Sequence, residues 1–233
     1  MKKKSSMNSK GVIAISHQKG GVGKSTLIWN LITQYSKNQI VDVIDLDVQQ
    51  TVTYSLAIRK KHNLAVNNIN LLNIRDSKDK ISDELLLDLM IESQNKGRKL
   101  FVDCGGFDSE SNRLVMAASD VLITPVSTKF YELHGLKVYE TILKRLTEKF
   151  RDGQTLIANV VLNKINPNTK ELEEISNFIN ESNYFHLMKT IIRQRVDYEN
   201  SPSIGMNVVE YNGEGKAAKE IIFFKNEIDN ILS

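Results

Sequence analysis

At 233 residues, with 41% hydrophobic and 25% charged side chains, the chain has an ordinary globular composition and a length that fits one α/β domain or two small ones. A formal net charge of +3 permits contact with nucleic acid without arguing for it, and Cys104, the single cysteine, excludes an internal disulfide framework. No window reaches the ~20 apolar residues of a membrane span, and the opening Met-Lys-Lys-Lys runs into Ser-Ser-Met-Asn-Ser-Lys without an apolar signal core. The expectation is a flexible basic tail, residues 1–10, ahead of one domain, residues 11–233, in a reducing cytoplasm.

The first apolar run, Val12 to Ile15, predicts a strand, and the segment from Leu27 to Tyr35 predicts a helix. Between them stands His17-Gln18-Lys19-Gly20-Gly21-Val22-Gly23-Lys24-Ser25-Thr26. Strand, glycine loop and helix, in that order, let backbone N–H groups and a helix N-terminus wrap a chain of phosphates. Gly20, Gly21, Val22, Gly23 and Thr26 belong to that cradle, Lys24 is placed to reach the terminal oxygens, and Ser25 to hold Mg²⁺. Further strands are predicted at Ile40 to Ile44, Leu100 to Val102, Val121 to Pro125 and Leu156 to Leu162. Amphipathic helices fall between them at Ile81 to Ile91 and Leu133 to Leu146. Buried strands alternating with helices predict a doubly wound, mostly parallel sheet with helices on both faces, and ligands of such sheets bind beyond the carboxyl ends of the strands.

Three motifs should therefore meet at one edge. Asp45-Leu46-Asp47 closes the second strand, and in extended chain the two acids share a face. Lys99-Leu100-Phe101-Val102-Asp103 is a strand ending in an acid, and Cys104-Gly105-Gly106-Phe107-Asp108 follows as a glycine hinge suited to sensing a γ-phosphate. Given the glycine loop, Asp103 is the candidate to hold water on Mg²⁺. Asn163-Lys164-Ile165-Asn166 resembles a guanine-reading loop, but Asn166 lacks the carboxylate that guanine demands, so adenine is expected. His17 is read as structural and His62 as exposed.

The loop carries Gln18 where the usual P-loop has glycine, and a second lysine, Lys19, beside it. This is the K-G-G-x-G-K-[ST] signature, and on it the chain resembles the ParA/MinD ATPases. The segment Ala117 to Val126, the stretch Thr190 to Arg195 with Tyr198, and Gly213 to Glu220 resemble small ParF-like partition proteins. The resemblance implies a P-loop fold that binds ATP and Mg²⁺. Lys19 would cross to the partner subunit's ATP, Asp45 would stand on the metal side, Asp47 would orient the attacking water and Asn163 would contact the base. These proteins carry D-x-D-P-Q-G after the second strand; here it reads Asp-Leu-Asp-Val-Gln-Gln, without the proline and glycine. The family cycle runs through an ATP-dependent homodimer or filament, nonspecific double-stranded DNA on the nucleoid, and a ParB- or ParG-like centromere-binding adaptor. Lys189, Arg193 and Arg195, with Lys216 and Lys219, are the candidate DNA contacts.

Two other classes share parts of this pattern. A MinD-like positioning ATPase ends in a basic membrane helix. Here the apolar stripe Ile221, Phe224, Ile228 and Ile231 is accompanied by Glu220, Glu227 and Asp229 against Lys225, which predicts core packing and argues against a membrane anchor. A dethiobiotin-synthetase-like ligase would need a small-substrate site, for which no distinctive residues are found. The nitrogenase iron-protein branch needs two cluster cysteines and fails on one.

Overall fold

The computed structural model describes residues 11–75, 80–127, 132–165 and 171–233; the expected tail and Asn166 lie outside the described residues. In chain order the elements are β1 (Val12–Ile15), α1 (Lys24–Tyr35), β2 (Val41–Asp45), α2 (Thr51–Lys61), β3 (Ile69–Leu71), α3 (Asp83–Asn95), β4 (Lys99–Asp103) and α4 (Glu110–Ala118). They continue as β5 (Val121–Val126), α5 (Glu132–Phe150), β6 (Ala158–Ile165), α6 (Glu171–Glu181), β7 (Phe185–Arg193), α7 (Asp197–Ser203), α8 (Val208–Tyr211) and α9 (Lys216–Leu232). The strands form one seven-stranded sheet in the order β3-β2-β4-β1-β5-β6-β7. Every pairing between them is parallel.

Period-two alternation divides the buried side chains between the two faces. Val12 and Ala14 of β1 pack with Leu86 of α3, Val115 of α4 and Leu143 of α5. Ile13 and Ile15 pack on the other face with Leu27 and Leu31 of α1 and Ile221 and Phe224 of α9. That is the doubly wound architecture read from the alternation of strands and helices. The stripe of α9 is core, as its charge pattern predicts: Ile221, Phe224 and Ile228 are fully buried. Its acids also turn inward. Glu227 accepts the backbone N–H groups of Lys189 and Thr190, at 2.6 and 3.0 Å, and Asp229 accepts the Tyr35 hydroxyl at 2.6 Å. None of the helices among the described residues is long and apolar enough to cross a membrane.

Two strands escaped the sequence reading. β3 has only three residues and none of them fully buried, and β7 alternates buried and exposed positions as an edge strand, so neither carries a continuous apolar run. Two of the candidate DNA contacts, Lys189 and Arg193, lie on this edge strand. The register sets the level of the site: Ile15 pairs with Asp103, and Asp103 with Asp45. The loops after β1, β2 and β4 thus leave the sheet side by side.

Candidate nucleotide site

The loop from Ser16 to Gly23 rises from β1 and closes onto the first turn of α1. Gly21 and Gly23 have φ of 77° and 95°, a left-handed backbone that glycine adopts without strain. Gly23 is constrained twice, because a Cβ there would stand 2.3 Å from the side-chain nitrogen of Asn163. Asn163 donates that nitrogen to the Val22 carbonyl at 2.6 Å, and the Lys164 ammonium reaches the Gly21 carbonyl at 2.9 Å. The Asn163 amide expected at the base therefore clamps the phosphate loop from the end of β6. It also lines a recess of about 120 Å³ with Thr26, Arg195 and Tyr198.

Inside the loop, Lys24 is 4% exposed and donates to the Lys19 carbonyl at 3.1 Å. Burial holds its pKa below the ordinary lysine value, while Asp103 and Asp47 work the other way. Asp103 is wholly buried and neither of its carboxylate oxygens has a hydrogen-bond partner. Burial pushes its pKa up to about 8; the charge of Asp45 adds to the rise, while Ser25 and the Lys24 ammonium pull it back. A buried carboxylate with both oxygens unmatched beside a lysine and a serine fits a hydrated Mg²⁺ that arrives with phosphates. Among the described residues no three His, Cys, Asp or Glu side chains converge on a cation position, so such an ion would depend on Ser25, Asp103 and the ligand's own oxygens.

Asp45 is occupied differently. Its oxygens accept the Asp47 N–H at 3.2 Å and both the N–H and the hydroxyl of Thr53 at 2.9 Å, tying the loop to the start of α2. Burial raises its pKa, with these hydrogen bonds opposing. Asp47 is half-exposed and its carboxylate accepts the Gln49 N–H at 2.9 Å. Gln50 then takes φ 48° as the residue capping α2. That is the position of the glycine in the family pattern, so the turn survives its loss by holding a glutamine in a left-handed conformation.

Lys19 makes a contact that the sequence reading missed. Its ammonium lies 3.1 Å from Glu132, a carboxylate with no exposed surface that also accepts the N–H and hydroxyl of Ser127, each at 3.0 Å. Burial alone would raise Glu132, but these partners hold it below the usual range. With the two 113 positions apart in sequence, only the fold could pair them. His17 is buried against Tyr139, its Nδ1 accepting the Lys19 N–H at 3.1 Å, and burial lowers its pKa to about 4. At neutral pH its ring is therefore uncharged. The hinge glycine Gly106 is required for contact: a Cβ there would stand 3.0 Å from the nitrogen of Gly20.

The basic candidates separate. Arg193 and Arg195 both contact Glu220, at 3.4 and 2.7 Å, at the end of α9 that carries the exposed Lys216 and Lys219. Lys189 is exposed further along, where Glu227 meets β7.

A glycine loop clamped between β1 and α1, an invading lysine and an unmatched acid at the adjacent strand end define a P-loop nucleotide-binding protein. Residues 13–208 match the CobQ/CobB/MinD/ParA nucleotide binding domain, and the chain belongs to that family. It is 24% identical to the sporulation initiation inhibitor protein Soj of Bacillus subtilis, over 93% of this chain and 97% of that one. A protein assigned to plasmid partition in Borrelia burgdorferi B31, solved with AMPPNP, superposes with a TM-score of 0.70 at 21% identity, over 94% and 98% of the two chains. MinD of Aquifex aeolicus gives 0.71 at 17% identity, over 94% and 97%.

Proposed function

We propose that this chain is a partition-type ATPase: a switch that binds ATP and Mg²⁺, dimerises through them, rides on nonspecific DNA and hydrolyses ATP when a centromere-binding adaptor engages. The observation that carries the nucleotide reading is Asp103, a buried carboxylate beside Ser25 and Lys24 with no hydrogen bond of good geometry to either oxygen. Its relatives include a partition protein solved with an ATP analogue.

In this reading the backbone N–H groups from Gly20 to Thr26 cradle the phosphates, and Lys24 neutralises charge on the terminal oxygens. Ser25 and Asp103 would hold Mg²⁺, which when bound draws charge off the bridging oxygens. Asp47 orients the attacking water. Lys19 leaves Glu132 and reaches the ATP of the facing subunit, so the pair with Glu132 is the resting state and the cross-subunit contact the active one. Arg193, Arg195, Lys216 and Lys219 supply cations for DNA phosphates, with Glu220 withholding part of that charge until the contact forms. Cytoplasmic residence on the nucleoid follows from DNA binding. The MinD-like alternative is disfavoured by α9, whose stripe is buried in the core.

The test is binding of the Asp47→Ala protein to nonspecific duplex DNA, in ATP and then in ADP. Binding in ATP alone, abolished by Arg195→Glu, is the expected result. A dimer that forms in ATP yet ignores DNA would refute the partition reading while sparing the ATPase.

A further inference from the structure

On the face of the sheet that carries α3 to α6, a cleft of about 390 Å³ opens between α4 and α5, in a different place from the nucleotide site. Leu114, Ile142 and Leu146 form its apolar floor, and Phe150 stands at its edge with 44% of its surface exposed. Ile142, Leu146 and Phe150 recur every fourth residue, so this stripe of α5 is covered in its middle and bare at its end. The charges around it are unequal. Arg113 is held by Asp108, and Asp83 accepts the Ser111 hydroxyl, so both have partners already. Arg145 and Lys149, four residues apart on α5 and both exposed, have no acidic partner among the described residues. Glu110, in the first turn of α4 where a helix dipole favours an acid, leaves the rim with an excess of cations.

We propose that this cleft docks an acidic, amphipathic peptide segment of a second protein, with apolar side chains on the Leu114–Ile142–Leu146 floor and carboxylates on Arg145 and Lys149. A trough between two helices with an apolar floor and cationic rim suits a helix or strand laid along it. It lacks the convergent buried polar groups that orient a small molecule. An occupant here would also touch the nucleotide loops. Asn112 of α4 donates its side-chain amide to the Phe107 carbonyl at 2.7 Å and to that of Gly105 at 3.4 Å. Gly106, between them, packs its backbone on Gly20. A displacement of α4 is thereby passed to the loop that holds Lys19. Docking itself stands apart from the ATPase reading; only this coupling rests on it.

The experiment is selection from a phage-displayed library of random peptides on the full-length chain, with counter-selection on an Arg145→Glu/Lys149→Glu variant. Both substitutions are at exposed positions and leave the core intact. The expected survivors are rich in Asp and Glu with Leu or Phe at three- and four-residue spacing. As synthetic peptides they should bind wild type and lose at least about tenfold on the variant. Their binding should persist in Lys24→Ala without nucleotide, which separates failure of docking from failure of the ATPase reading. No enrichment, or survivors that bind the variant equally well, overturns the proposal. So does sedimentation of wild type, but not the variant, with phosphatidylserine vesicles, which would make the patch a membrane contact.

Discussion

The two edges of this molecule treat charge in opposite ways. Along the flank formed by α2, α8, α9 and β7, buried charge is matched. Arg59, 4% exposed, grips both oxygens of Glu210 at 2.7 and 2.8 Å and the carbonyls of Ala65 and Gly205, while Glu220 and Glu227 bind β7 and the residues after it. At the carboxyl ends of β1, β2 and β4 the matching fails. Asp103 has neither oxygen paired, His17 keeps an unpartnered buried nitrogen, and Gln50 holds a left-handed backbone. Mismatch of this kind costs free energy; the flank's own unpartnered groups, Ser201 and Asn207, are neutral, whereas those of the open edge, Asp103 and His17, are ionisable. The flank holds the fold; the open edge is where the proposed function would act.

Lys24→Ala should have the largest effect. Removing the ammonium that meets the terminal phosphate oxygens should weaken ATP binding by at least about a hundredfold, roughly 2.7 kcal/mol or more, as read by calorimetric titration, with little change in the melting curve. A variant that still binds ATP tightly would remove the site assignment. On the matched flank the order reverses. Arg59→Ala removes the buried guanidinium that holds the half-buried Glu210 and leaves that carboxylate only the Asn207 N–H; it should cost about 3 kcal/mol of stability, seen as a lower urea midpoint. Gly205, with φ 74°, shows how closely that flank is built, since a Cβ there would stand 2.4 Å from the Arg59 backbone. Loss of less than about 1 kcal/mol would mean the pair behaves as a surface ion pair and the contrast between edges is wrong.

The same contrast explains what the sequence made legible. The nucleotide edge is written in local spacing: Gly20 to Ser25, Asp45-Leu46-Asp47 and the strand ending in Asp103 each announce themselves within a few residues. Parallel pairing then aligns them, which the alternation of strands and helices foretells. Glu132 was not legible, because its role rests on Lys19 at a separation of 113 residues, and an acid opening a helix reads as a partner for the helix dipole. β7 was hidden because an edge strand with one solvent-facing side lacks a continuous apolar run, so Lys189 to Arg195 read as a charge cluster. Asn163 lies near the carboxyl end of β6, just past the run Leu156 to Leu162 that predicts the strand. That its amide clamps Val22 depends on a turn geometry no spacing reveals.

A smaller effect separates Asp103 from its surroundings. Its pKa rises from the ordinary 3.8 to about 8 in the ligand-free fold, chiefly through burial. The folded state therefore holds a proton that the unfolded chain releases, so this contribution to stability is full below about pH 4, declines as pH rises and levels off above about pH 8. His17, lowered from 6.5 to about 4, acts in the opposite sense, with stability lost as pH falls through that interval. Asp103→Asn should abolish the alkaline decline. Without nucleotide it should melt several degrees above wild type at pH 8.5 and together with it near pH 4, each 1 kcal/mol being worth about 2–4 °C in a chain of this size. Parallel curves would show that the acid is solvated or paired in solution.

Gln50→Gly is the smallest of these predictions and bears most directly on the open edge. A left-handed conformation costs an L-residue about 1–2 kcal/mol, and glycine returns part of that through its freer unfolded chain. The substitution should therefore stabilise the protein by about 0.5–1 kcal/mol. The turn it relieves starts where Asp47 accepts the Gln49 N–H and ends where Thr53 donates to Asp45. If the strain is only a relic of sequence drift, the gain in melting temperature will come without change in ATP turnover. If it keeps Asp47 away from the γ-phosphate until a partner engages, the relaxed variant will hydrolyse ATP faster unstimulated while its affinity for ATP is unchanged. No gain in stability at all would mean that residue 50 is not left-handed in solution, and that the turn after Asp47 differs from the one described here.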